Sequence, residues 1–159
     1  MVRAPYPVFR ERARLRGYTA AMAATTAPTH ATKALAAYSH VNIVADDIDA
    51  ARDFYGTKLG LTELPRPDFG IPGAWFRLGP SQFHIIEVKE MPDLKGAAPH
   101  FAIYIPADEF ASTIGALKDS GVAFTSDIRS RDDFGVTVTT AFCKDPAGNL
   151  IEFTDVALF

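Results

Sequence analysis

The run His40-Val-Asn-Ile-Val-Ala45, followed by Asp46-Asp-Ile-Asp-Ala-Ala-Arg-Asp-Phe-Tyr-Gly-Thr-Lys-Leu-Gly60, is the stretch whose reading decides the fold. Its first six residues place β-branched side chains on alternating faces and predict a short strand. Asp46 and Asp47 then offer oxygens to the free amides of a helix start. Ile48, Ala51, Tyr55 and Leu59 recur at helical spacing. Gly60 ends that helix, because glycine adopts a positive φ without steric cost.

The pattern returns at His100. His100-Phe-Ala-Ile-Tyr-Ile105 predicts a strand, Asp108 and Glu109 fall in a first helical turn, and Phe110, Ala111, Ile114 and Leu117 share one face. Gly121 is the second stop. The histidine-to-glycine separations are 20 and 21 residues, so the two halves keep nearly one register. Three shorter strand candidates follow each glycine. They are Leu61–Leu64, Ala74–Leu78 and Gln82–Val88, then Val122–Thr125, Gly135–Cys143 and Asn149–Thr154. Proline and glycine punctuate them, and Asp145-Pro-Ala-Gly-Asn149 is a turn by its residue chemistry. The fold class expected is α+β: two βαβββ modules, residues 38–90 and 98–157, pairing into a curved mixed β-sheet cleft. Lys89–Pro99 is the linker between them.

The segment before this duplication has a different composition. Residues 1–35 hold Arg3, Arg10, Arg12, Arg14, Arg16 and Lys33 against Glu11 alone, whereas the rest of the chain carries ten basic and eighteen acidic residues. The plainest reading of 1–35 is a flexible N-terminal extension to a domain at 36–159. An Arg-rich, acid-poor start also suits organellar targeting by residues 1–21, and translation from Met22 would explain the same stretch.

Of the 159 residues, 48% are hydrophobic and 22% charged, as in a soluble globular domain. The net charge of −3 offers nothing to nucleic acid or an anionic membrane. No run approaches the roughly 18 apolar residues of a membrane-spanning helix. A single cysteine, Cys143, precludes an internal disulfide and fits a reducing, cytoplasmic setting. Its apolar neighbours mark it as a buried, inert thiol.

Outside the extension there are three histidines. His40 and His100 open the first strand of each module, and His84 lies in the last strand of module one. Glu152 matches His84 in module two, with a one-residue ambiguity left by the intervening turns. A lone strand histidine is usually a hydrogen-bonded core residue. What separates these is that all occupy repeat-equivalent positions and the fourth equivalent is a carboxylate. Imidazoles with one carboxylate suit a single divalent metal ion, Zn, Ni, Mn, Co or Fe(II). Glu87 competes with His84 but falls on the other strand face, where a solvent-facing carboxylate is expected. Asp127, Asp132 and Asp133, with Arg129 and Arg131, read as a solvated loop.

These residues together resemble the vicinal oxygen chelate superfamily, which includes glyoxalase I, extradiol dioxygenases and bleomycin resistance proteins. The resemblance spans residues 39–155. It rests on the His40 strand with Asp53-Phe-Tyr and Leu59-Gly-Leu, Gly73-Ala-Trp-Phe-Arg-Leu-Gly with His84-Ile-Ile-Glu, the His100 strand, and Asp145-Pro-Ala-Gly-Asn-Leu-Ile-Glu152. It implies a metal in a U-shaped cleft, chelated by substrate oxygens and acting as a Lewis acid. It also implies that His40, His100 and Glu152 are shared ligands, and that His84 stands where glyoxalase-type members use glutamate or glutamine. Glu152 and His84 are then the candidate acid/base groups, His84 as a fourth ligand or as a proton carrier beside the metal. Trp75, Phe76, Tyr104 and Phe134 are candidates for the cleft wall, with Arg77 as an anion contact.

The implied activity is that of a metal-dependent lyase or isomerase, lactoylglutathione-lyase-like, on a small oxygen-chelating substrate. An Fe(II)-dependent extradiol-type dioxygenase and a metal-independent small-molecule binding or resistance protein are the alternatives. The expected partner is a small-molecule substrate, with neither nucleic acid nor membrane. The two modules close their cleft within one chain or across a homodimer.

Overall fold

In the computed structural model, which describes residues 38–133 and 136–156, each half of the duplication forms its own four-stranded mixed sheet. Module one runs β1 (His40–Ala45), α1 (Ile48–Arg52), β2 (Glu63–Leu64), β3 (Gly73–Leu78) and β4 (Ser81–Glu87). Module two runs β5 (His100–Tyr104), α2 (Phe110–Asp119), β6 (Arg129–Asp133), β7 (Val136–Lys144) and β8 (Leu150–Thr154). The strand orders, β1-β4-β3-β2 and β5-β8-β7-β6, are the same arrangement twice. In each, the first strand lies parallel to the last, and the remaining pairs are antiparallel. The expected extension at 1–35 lies outside the described residues.

Local chemistry accounts for the helix boundaries. Asp47 is the N-cap of α1, and its side chain accepts from the amides of Asp49 and Ala50 at 3.0 and 2.9 Å. The helix does not run on regularly to Leu59. From Asp53 to Lys58 it widens into a π-helical segment, with the Leu59 N–H donating to Phe54 O at 2.9 Å. Gly60 and Gly121 end the two helical segments at φ values of 72° and 91°, the left-handed geometry expected of them.

Two expectations change in module two. Val122–Thr125 forms only an isolated bridge, Phe124 to Cys143, and the strand is instead Arg129–Asp133, read above as part of a loop. Alternation of apolar residues did not flag β6 because it is an edge strand. Polar side chains suit such a strand, since they discourage further pairing along its free edge. Glu87 is not a solvent-facing carboxylate either, for it accepts from the Ile48 amide at 3.2 Å and closes the start of α1.

The modules share one core. Tyr55, Phe76, Phe83 and Ile85 from the first pack in one cluster with Ile114, Cys143, Ile151 and Phe153 from the second. A polar clasp crosses between them. The Tyr55 hydroxyl donates to Asp145 Oδ2 at 2.9 Å, and the Asn149 amide side chain donates to Asp145 Oδ2 at 2.8 Å and to Val44 O at 2.9 Å. Asp145 is only 5% exposed, and its second oxygen accepts from the Asn149 backbone at 2.8 Å, so both carboxylate oxygens are engaged. Burial first, then Asp145, pushes the Tyr55 hydroxyl above its ordinary value. Burial likewise pushes the Cys143 thiol up to about 12, with the Asp145 charge adding to it, which makes that thiol unreactive. Among the described residues no helix is long and apolar enough to cross a membrane.

Candidate functional site

Strand alternation sends Phe83 and Ile85 into the core and leaves Gln82 and His84 on the other face of β4. Register settles which residues correspond between modules. Asn42, two residues after His40, pairs with His84, and Ala102, two residues after His100, pairs with Glu152. His84 and Glu152 are therefore true equivalents, and the one-residue ambiguity disappears. Across the antiparallel pairs, His84 faces Trp75 and Glu152 faces Phe142.

In module one these positions build a stack of rings. His40 lies on His84 with centroids 4.3 Å apart and planes inclined by 15°, and His84 lies on Trp75 at 4.3 Å and 9°. His84 is thus covered on both faces. Its Nε2 is 2.8 Å from Gln82 Oε1, an acceptor, so Nε2 carries the hydrogen. Burial, then the charges of His40 and Arg66, hold its pKa below the usual histidine value. His40 Nδ1 meets Ser39 Oγ at 2.9 Å.

Module two has a different device. His100 Nε2 lies 3.1 Å from Glu152 Oε2, and His100 Nδ1 lies 3.1 Å from the carbonyl of Ala98. A carbonyl only accepts, so Nδ1 carries a hydrogen. Nε2 then faces a carboxylate, an arrangement that a cation bound between the two would stabilise. A backbone carbonyl at Nδ1 with Nε2 free for the ion is the usual support of a ligating histidine. Exposed His100 and the more deeply buried Glu152 therefore fit a metal as two of its donors.

The module-one pair does not fit in the same way. An imidazole lone pair lies in the ring plane, and a bound ion sits about 2.0–2.1 Å from the nitrogen along it. Planes inclined by only 15° do not meet within bonding distance of both rings, so His40 and His84 cannot hold one ion together in this stack. His84 is also tied to Gln82, whereas exposed His40 keeps Nε2 available. Among the described residues, no three His, Cys, Asp or Glu side chains converge as a metal centre requires. The four expected ligands stand as two pairs, one on each sheet. Their edge strands β1 and β5 line a cavity of about 340 Å³, with Ile43 and Val44 on one side and His100 and Phe101 on the other.

The expected wall residues separate similarly. Trp75 lies on the ring-stack face, but its neighbour Phe76 is buried in the core beside Tyr55, since consecutive strand residues take opposite faces. Arg77 is exposed and alternates with Trp75, and Tyr104 alternates with His100 and is half exposed. Phe134 lies outside the described residues. Sequence reasoning missed Gln82, Phe142 and Arg66. The first two follow from register alone. Arg66 folds over from the β2–β3 connection, a placement that no strand periodicity signals.

The comparisons with known proteins agree with this fold. Residues 37–153 match the model of the glyoxalase/bleomycin resistance protein/dioxygenase superfamily. A glyoxalase/bleomycin resistance protein/dioxygenase from Alicyclobacillus acidocaldarius is 27% identical, with a TM-score of 0.60 over 74% of this chain and 89% of that one. A glyoxalase/dioxygenase from Nostoc punctiforme is 23% identical, with a TM-score of 0.62 over 82% and 97%. A lactoylglutathione lyase from Agrobacterium tumefaciens is 21% identical, with a TM-score of 0.56 over 74% and 92%. The last two show likeness of fold alone. No functionally curated protein matches the chain.

Proposed function

Because the chain belongs to the glyoxalase/bleomycin resistance protein/dioxygenase superfamily, we propose that it is a metal-dependent lyase or isomerase of the glyoxalase type. His40, His100 and Glu152 would hold one divalent ion. The observation that carries this reading is the His100 ring, whose two nitrogens both face oxygen acceptors, one of them the Glu152 carboxylate. When bound, the ion would supply Lewis acidity to the oxygens of a chelating substrate.

The protein's own groups do the rest. Glu152 is the sole carboxylate among the four equivalent positions, so it takes and returns the proton moved between adjacent substrate carbons. His84 acts as a positioning residue. Its ring backs His40, and Gln82 and Trp75 keep it from turning. Since no three donors converge within one chain among the described residues, a two-fold homodimer that sets module one against the partner's module two is the favoured assembly. A monomer mass by light scattering at micromolar concentration would remove that part.

A second reading draws on the same donors. Two histidines and one carboxylate with open positions also suit an Fe(II) dioxygenase. Protein purified without chelator is to be tested for metal content, then against dicarbonyl–thiol adducts and catechols. Turnover of the adducts supported by Zn, Ni, Mn or Co favours the lyase. Oxygen uptake that needs Fe(II) and a catechol favours the dioxygenase. Absence of stoichiometric metal contradicts both.

A further inference from the structure

Arg66 lies between Pro65 and Pro67 in the β2–β3 connection. A proline fixes its own φ and restricts the residue before it to extended backbone, so Arg66 is held with little freedom. Its guanidinium packs against Gly73, where an added Cβ would stand 3.0 Å from Nε and 3.1 Å from Cζ. The Cζ also lies 5.0 Å from the centre of the Phe69 ring. Phe69, 57% exposed, meets Trp75 at 5.9 Å, and Trp75 stacks on His84. The guanidinium therefore ends a series of rings that runs across the sheet to His40.

Arg66 and Arg52 line the same surface cavity of about 500 Å³, with Pro67, Asp68, Ile71 and Pro72. They differ in what they already hold. Arg52 reaches Glu63 at 3.1 Å, Asp49 at 3.4 Å and the Gly73 carbonyl at 3.1 Å. Arg66 has no hydrogen-bond or ion-pair partner among the described residues, and its Nε is buried and unpaired. A buried N–H without a partner is costly, and a guanidinium fork is shaped for an oxyanion. Asp68 is engaged, accepting from the Gly70 amide at 2.8 Å.

We propose that Arg66 anchors an anion subsite that takes the carboxylate of a small aromatic acid, with the ring lying against Pro67, Ile71 and Pro72 of this cavity. The cavity suits one negative charge better than two, because it offers one unpaired guanidinium and contains Asp68. Pro67, Ile71 and Pro72 supply apolar surface for a ring. The proposal rests on reading the ring-stack face as the substrate side, and it adds to that reading the charge and shape of the substrate.

Trp75 is the only tryptophan in the chain and meets the Phe69 ring that lies beneath Arg66, so its fluorescence reports changes at the guanidinium. The full-length protein, as purified and after chelator treatment, is titrated with benzoate, benzamide and inorganic phosphate. Benzoate should give a saturable change, with benzamide and phosphate weaker by about tenfold or more, as for loss of a charged hydrogen bond. Arg66→Ala should abolish the preference for benzoate over benzamide. Arg66→Lys, which keeps charge but loses the fork, should weaken benzoate by about fivefold. Asp68→Asn should tighten it by about threefold, through relief of like-charge repulsion.

Equal affinity for benzoate and benzamide, tighter phosphate, absence of saturation, or a preference that survives Arg66→Ala overturns the proposal. Thermal unfolding verifies that Arg66→Ala is folded, and if it is not, Arg66→Lys decides. Arg66-dependent binding in a protein that never retains metal would defeat the metal reading alone. Metal retention without that selectivity would defeat this proposal alone.

Discussion

In module one the strand-opening histidine, the residue in register two positions further on, and that residue's antiparallel neighbour are His40, His84 and Trp75. In module two they are His100, Glu152 and Phe142. The backbone repeats itself but the side chains do not. A ring at position 84 covers its neighbours and closes into a stack, whereas a carboxylate at position 152 leaves the His100 nitrogen facing negative charge. A duplicated scaffold can thus carry a ring stack on one half and a histidine–carboxylate pair on the other, with one substitution at an equivalent site deciding between them.

The sharpest way to break this contrast is to exchange the deciding residues. Glu152→Gln should weaken metal retention by more than about a hundredfold, beyond what loss of an outer support costs, as read by elemental analysis after gel filtration. His84→Gln should weaken it by about tenfold, within the range of such supports, with the ion still bound at stoichiometric protein. Equal losses in the two variants would erase the distinction between the modules.

The contrast also depends on one shared core holding the two faces in register. Tyr55→Phe removes a donor to buried Asp145 and should lower stability by about 1 kcal/mol in urea unfolding, with the clasp through Asn149 intact. An unchanged midpoint would show that the clasp does not join the modules energetically. The smallest effect concerns pH. Cys143 has a thiol pushed up from 9.0 to about 12 in the fold, so its contribution is present below pH 9 and is lost as pH rises toward 12. Tyr55 is shifted in the same direction and acts with the same sign. The urea midpoint should therefore fall between about pH 8 and about pH 10. A rising midpoint would contradict the assigned burial of these groups.

Much of this was legible in the residues themselves. Asp47, Gly60 and Gly121 carry their conformational reasons with them, and the spacing from His40 and His100 announces the duplication. The strand at Arg129–Asp133 was hidden because an edge strand needs no apolar face. The widened turn at Asp53–Lys58 carries no obvious mark either. For the site, residue type and position were readable, but ring orientation was not. Histidine at position 84 satisfies a ligand pattern on paper, and only the 15° inclination to His40 and the bond to Gln82 show that it cannot share an ion with His40 in this stack. Phe76 illustrates a simpler limit, since adjacent aromatic residues in one strand cannot share a face.

The claim that module two and His40 hold the ion, with His84 behind them, is most directly tested by X-ray absorption at the edge of the bound metal. The account predicts two imidazole donors per ion, those of His40 and His100, and an unchanged count in His84→Gln. Three imidazoles in the native protein, falling to two in His84→Gln, would contradict it.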